Sequence, residues 1–461
     1  MERGVSRREL LVAGAAGAGG LLLGARGAPP ALGQLAALRG GLRSELVTVT
    51  PTGFSCWWAT SEASDSRIVL RGPGLPAAGE SRVLEQDARV HVASVEGLQP
   101  GREYRYELWS GGRRVPENDA HTGVVTTLRR PAGRVLATIA VLNDIHVGEG
   151  CSGTISGDFP PCFSEPGYAI RMTAAAVRAI RRLRPDLLVV NGDLTDRGRP
   201  DEVRRALAVL RRARVPLAVT RGNHDRRFGP CGEDGDCLRM QAFGDRPVGA
   251  HALSWSRDVG PALTVIGLDS CDPDSGRGRL DLGDQLSFLD RELTRAAGQG
   301  RRALVLFHHP IVAGSRFSAL PPFGSGVDPD RGGRDALGVL ARHPHVALVL
   351  HGHTHRNLVA YDERIGERLP FVENGAGKEY PAGFALLRFH EDGVTREFHR
   401  MDEPFVREWV ATSARQVYGR QAEYTRGPRS SRGFTHLYGR RGFQPAPSLP
   451  LSAPDLPFVG S

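Results

Sequence analysis

Five short apolar runs in this chain each stop at side chains able to hold a metal ion, and that repetition restricts the fold more than any other feature. Residues 135–142 are followed by Asp144 and His146. Residues 187–190 lead into Gly192, Asp193 and Asp196, and 216–220 into Gly222-Asn223-His224-Asp225. Residues 303–307 run into His308-His309-Pro310, and 346–350 into His351-Gly352-His353-Thr354-His355. Such unbroken apolar runs read as strands buried on both faces. Between them, 168–183, 201–213, 283–297 and 335–342 read as helices, and 263–268, 371–373 and 384–389 as further strands. The alternation predicts a layered α/β domain. In such sheets function collects where strands end. A lone histidine there is ordinary, but five clusters at five strand ends point to one shared site.

The 461 residues allow two or three domains, each able to bury a core. The formal charge is +9, and the cations are arginines apart from a single lysine, Lys378. The arginines are spread along the sequence, not gathered into the stripe a polynucleotide groove requires. The expectation is a solvated basic surface, with no nucleic-acid partner. At the start, Arg7-Arg8 precedes a small, glycine-rich apolar run to Leu23 and then two prolines. This reads as a cleavable signal over 1–33 and resembles the twin-arginine type, which implies a periplasmic, cell-surface or secreted protein. The run is short for a membrane span. Cys151 lies near Cys162, and Cys231 near Cys237, which suggests two local disulfides in an exported chain. Cys56 and Cys271 are left over, buried or free.

Residues 42–130 read as an all-β unit. Phe54, Cys56 and Trp58 alternate on one strand face, and Pro100-Gly101 turns into Tyr104 and Tyr106. This resembles the tyrosine corner of fibronectin type III and related sandwiches. The α/β domain is expected over 134–400. An extension over 401–461 is expected to begin with a helix at 404–420 and to be irregular past Thr425.

The series D-x-H, G-D-x-x-D, G-N-H-D, H-H-P and G-H-x-H resembles that of the calcineurin-like metallophosphoesterases. The resemblance implies an αββα sandwich carrying two metal ions, about 3.5–4 Å apart in two-metal hydrolases. It assigns Asp144, His146 and His355 to one ion, Asn223, His308 and His353 to the other, and Asp193 to both. His309 and His351 are left as supporting or structural residues. Nitrogen and carboxylate donors suit Zn, Fe or Mn. Only Asp144 and Asp193 bring negative charge, so two divalent ions keep a surplus that can hold a phosphate oxygen. Attack by a metal-bound hydroxide is the implied chemistry. His224 is implied to protonate the leaving oxygen or to stabilise the transition state, with Asp196 orienting it and Arg197 touching phosphate.

Where purple acid phosphatases carry a chromophoric tyrosine, this chain has Asp196. Gly267-Leu268-Asp269-Ser270 and Gly283-Asp284-Gln285 resemble instead the class III cyclic-nucleotide and glycerophosphodiester phosphodiesterases. The expected substrate is therefore a small phosphate ester, and a diester first. A phosphomonoesterase using the same site, or an exported binding protein without turnover, are the alternatives. Substrate choice is expected to lie with loops at 151–166, 228–256 and 315–333.

Overall fold

The computed structural model describes residues 42–152, 163–225, 254–271, 278–312, 326–416, 420–439 and 444–445. The signal expected at 1–33, three of the four cysteines expected to pair, and most of the substrate loops lie outside them.

The first unit comprises β1 (Glu45–Val49), β2 (Gly53–Ser64), β3 (Ser66–Arg71), β4 (Glu80–Val83), β5 (Ala88–Glu96), β6 (Glu103–Ser110), β7 (Arg113–Arg114) and β8 (Val124–Thr126). Strands β1-β2-β5 form one sheet and β4-β3-β6-β7 another, with β8 on β6. Side chains alternate across β2 because successive residues of a strand face opposite ways. Phe54, Cys56 and Trp58 fill the core between the sheets with Ile68, Tyr104 and Tyr106. Trp57 faces the other way and packs into the core of the second unit. The Tyr104 hydroxyl accepts from the Gln99 N–H at 2.9 Å and donates to the Pro73 carbonyl at 3.1 Å. The Gln99 bond ties the strand back to the turn that precedes it.

The second unit holds β9 (Val135–Leu142), β10 (Leu187–Asn191), β11 (Leu217–Thr220), β12 (Trp255–Val259), β13 (Leu263–Gly267), β14 (Arg302–Leu306), β15 (Val346–His351), β16 (Leu358–Ala360), β17 (Phe371–Glu373), β18 (Gly383–His390), β19 (Gly393–Arg400), β20 (Gly433–Leu437) and β21 (Gln444–Pro445). One sheet runs β11-β10-β9-β18-β19-β20-β21 and the other β12-β13-β14-β15-β17-β16. Their facing sides share a core that includes Ile139, Val189, Leu304, Leu348 and Leu387. Helices α1 (Tyr168–Leu183), α2 (Pro200–Leu210) and α5 (Pro404–Ser413) cover the outer face of the first sheet. Helices α3 (Gln285–Gly298) and α4 (Arg334–Arg342) cover that of the second. This is the expected four-layer α/β/β/α arrangement.

β9, β10 and β11 are mutually parallel, as are β13, β14, β15 and β17. Buried amides tie the strand ends of the two sheets together. Asn143 Nδ2 donates to the carbonyls of Asn191 at 3.3 Å and His351 at 3.1 Å, and Asn191 Nδ2 to Leu350 at 3.2 Å. The loops after β9, β10, β11, β14 and β15 therefore meet at one edge.

Two expectations need correction. The helix expected over 404–420 ends at Ser413. The region past Thr425 is not irregular throughout, because β20 pairs antiparallel with β19 and buries Phe434 between the sheets. Its five residues sit in an Arg/Gly/Pro/Ser-rich stretch that hides the strand. Arg181, Arg211, Arg212 and Arg214 line one surface cavity of about 460 Å³ with Ala208. No helix among the described residues is long and apolar enough to cross a membrane.

Candidate metal centre

The strand-end side chains converge. Asp144, His146, Asp193 and His355 each bring a donor atom within 4.8 Å of the others, and so do Asp193, His308 and His353. Asp193 belongs to both groups. Its Oδ2 lies 3.3 Å from His146 Nε2 and 3.2 Å from His308 Nε2. Asp144 Oδ1 lies 3.5 Å from His355 Nε2. Asn223 Oδ1 lies 2.9 Å from His353 Nδ1, which places the amide beside the second group. His146, Asp196 and His224 form a third, partly exposed group.

These residues fit a cation. Asp144 Oδ2, both ring nitrogens of His146, and His308 Nε2 are buried without a hydrogen-bond partner. Each such atom costs about 1–3 kcal/mol, and several of them converge on the same space. Imidazole nitrogen with carboxylate oxygen is the donor set of Zn, Mn or Fe.

The backbone is bent to bring them there. Nine non-glycine residues have positive φ among the described residues, and five of them are Asp144, His146, Asp193, His353 and His355. A non-glycine residue held in that region costs about 1–3 kcal/mol, so the strain is concentrated on the donors. Two motif glycines make room. A Cβ on Gly192 would lie 2.1 Å from His308 Nδ1, and one on Gly222 would lie 2.2 Å from Asp193 Oδ1. His308 Nδ1 sits 3.1 Å from the Asn191 carbonyl, which turns Nε2 toward the donors.

His309 and His351 stand in none of these donor groups. His309 Nδ1 lies 2.9 Å from Ser270 Oγ, and His351 Nδ1 lies 3.2 Å from the Phe307 carbonyl. Burial pushes His351 down to about 3, so it stays neutral.

His224 packs edge-on against the His146 ring at 4.4 Å. Its Nδ1 is 3.0 Å from the Asp196 carbonyl oxygen but 3.8 Å from the carboxylate. The main chain of Asp196 thus orients the imidazole more closely than the side chain that the sequence pointed to. Burial works against a charged His224, but Asp193 and Asp196 raise it to about 9. The Arg197 side chain is largely exposed, with Nε 3.2 Å from Asp196 Oδ2.

Several supporting residues hold the donor loops in place. Asp225 accepts from the Leu194, Thr195 and Gly222 N–H groups and from the Thr195 hydroxyl, so it clasps the G-D and G-N-H-D loops together. Asp269 pairs with Arg221, whose Nη2 lies at 2.5 Å, and the Asp269 N–H donates to Gln285 Oε1 at 3.2 Å. The G-L-D-S and G-D-Q segments, far apart in sequence, are thereby joined. Glu379 Oε1 lies 2.9 Å from His355 Nδ1. Beside it, Lys378 is buried and bonded to Glu149. Being the only lysine is the one sequence signal that marked it.

Residues 137–357 match the calcineurin-like phosphoesterase family. A probable cyclic nucleotide phosphodiesterase of Synechococcus is 28% identical over 274 residues, covering 58% of this chain and 92% of that protein. A probable cyclic nucleotide phosphodiesterase of Moraxella catarrhalis is 22% identical, covering 56% and 90%. A 3',5'-cyclic adenosine monophosphate phosphodiesterase of Pseudomonas aeruginosa is 27% identical, covering 47% and 75%.

Proposed function

We propose that this metal-dependent phosphoric ester hydrolase, whose residues 137–357 form a calcineurin-like phosphoesterase domain, cleaves phosphodiesters and acts outside the cytoplasm. The observation that carries the hydrolytic reading is the convergence of metal-capable side chains from five strand ends, with buried, unpartnered donor atoms on Asp144, His146 and His308. In this reading Asp144, His146 and His355 would hold one ion, and Asn223, His308 and His353 the other. Asp193 would serve both, because its Oδ2 lies near His146 Nε2 and near His308 Nε2. The ions would supply Lewis acidity toward a phosphate oxygen and lower the pKa of bound water.

The chain's own groups do the rest. The Asp193 carboxylate also accepts from the His224 N–H at 2.8 Å, which fixes the loop that presents the His224 ring. With Nδ1 turned to the Asp196 carbonyl, His224 Nε2 is left to deliver a proton to the departing oxygen. Asp196 stands where a tyrosine would mark a purple phosphatase, so no charge-transfer colour is expected. The exposed Arg197 is assigned to the rim, where a guanidinium can meet a phosphate oxygen.

Preference for a diester is supported by the names of the relatives. Export is supported by the arginine-led, apolar N-terminus and by the disulfide at Cys151, since such bonds persist in oxidising compartments. Because Cys56 and Cys271 are free, the partner of Cys151 lies outside the described residues, where Cys162 is the nearest in sequence. The small β unit is assigned to the fibronectin type III-like class. The test is the ratio of kcat/KM on matched aryl mono- and diesters. A higher value on the diester is expected, and a higher value on the monoester overturns the diesterase reading.

A further inference from the structure

Behind His355 lies a buried ionic cluster that metal binding by the seven donors does not itself require. Glu379, fully buried, sets Oε1 at 2.9 Å from His355 Nδ1. Its other oxygen takes hydrogen bonds from the Ser152 hydroxyl and, at 3.1 Å, from Gln416 Nε2. Lys378 Nζ lies 3.9 Å from that same oxygen and 2.6 and 2.5 Å from the two oxygens of Glu149. Glu149 in turn accepts from the Tyr168 hydroxyl. Trp409 stacks on Tyr168 at 4.4 Å and donates Nε1–H to the Lys378 carbonyl at 2.8 Å. Two buried carboxyl groups therefore flank one buried amine in the interior.

Burying three ionised groups is costly unless each is paired. Here each is paired, and the Glu379 carboxylate also reaches a candidate metal ligand, His355. A carboxylate on one ring nitrogen fixes the tautomer of a ligating histidine, aims the other nitrogen and raises its basicity. His355 Nε2 does face Asp144.

We infer that Glu379 is a positioning residue that holds His355 Nε2 for the ion shared with Asp144 and His146, with Lys378 and Glu149 holding Glu379 in place. This rests on the ligand assignment proposed above. The Ser152 and Gln416 contacts extend the support. Ser152 adjoins the disulfide-bonded Cys151, and Gln416 follows α5, so a loop and the C-terminal segment brace one histidine.

The experiment is metal titration of the stripped full chain, Glu379→Gln and Glu379→Leu, with cobalt(II) followed by its visible absorption and folding checked by circular dichroism. Glutamine keeps an acceptor for His355 and removes the charge, whereas leucine removes both. The expected result is two sites in the parent chain. In both variants one of them should be weakened by about 10–100-fold, more in the leucine variant, and the other unchanged. Two sites of parental affinity in a folded Glu379→Leu chain overturn the inference. Equal weakening of both sites also overturns it, because a general loss of packing would not distinguish them. A parent chain that takes up no metal overturns the ligand assignment instead. Lys378→Met should weaken the same site selectively in whatever fraction folds, and a parental site there removes the lysine from the account.

Discussion

At the scale of single residues, the sequence exposed the donors and concealed their supports. Asp144, His146, Asp193, Asn223, His308, His353 and His355 stood out because each follows an apolar run, and the fold brings all seven together. Glu379, Lys378 and Glu149 did not stand out in that way. Buried carboxylates and amines carry no spacing rule, and the pairs that neutralise them lie far apart in sequence, 229 residues in the case of Lys378 and Glu149. His224 carries the clearest prediction. His224→Ala should keep its metal content, because the residue is not a ligand in this account. Its kcat should fall by about 10²–10⁴-fold, the usual contribution of a general acid. Parallel metal analysis and kinetics check this, and parental turnover removes the role given to His224.

At the scale of elements, the strongly apolar strands and the amphipathic helices were legible, and the C-terminal strand was not. β20 is five residues long and flanked by arginines, so neither length nor pattern marked it. Its place comes from tertiary pairing with β19, where Phe434 completes the core between the sheets. Strand β19 was missed for a related reason, since it buries Arg396 and Glu397 and so lacks an apolar face. Arg396 is satisfied there by Asn357 and Asn374 at 2.7 and 2.8 Å. Phe434→Ala should lower unfolding free energy by about 3–5 kcal/mol, the range for emptying a buried phenyl site. Urea unfolding measures this. A change below about 0.5 kcal/mol, typical of a surface substitution, would mean that β20 is not part of the sheet.

At the scale of the molecule, the two units are joined by buried charge as well as by Trp57. Glu45, on β1, bonds Arg400 of β19 and accepts from the Tyr380 hydroxyl at 2.5 Å. Arg400 also lies 5.0 Å from the Trp57 ring. Arg432 donates to the Leu46 carbonyl, so the segment before β20 clasps the first unit too. Burial disfavours a charged Glu45, but Arg400, Arg432 and Arg426 hold its carboxyl below the ordinary value of 4.5. A carboxylate depressed on folding adds stability above its unfolded pKa, and that stability is lost as pH falls through the folded value. Glu45→Gln should therefore melt below the parent chain at neutral pH, by an amount that shrinks as the pH drops under about 4.5. Melting curves from pH 3 to 8 test this, and a gap that stays constant across the range contradicts it.

The shared carboxylate of Asp193 is the centre of the account, and metal stoichiometry tests it most directly. Elemental analysis of the purified chain and of Asp193→Ala, each confirmed folded, is the measurement. The account predicts two transition-metal ions per parent chain, and loss of metal together with phosphodiesterase activity in the variant. A variant that keeps both ions, or a parent chain that hydrolyses phosphate esters with no ion bound, would contradict it.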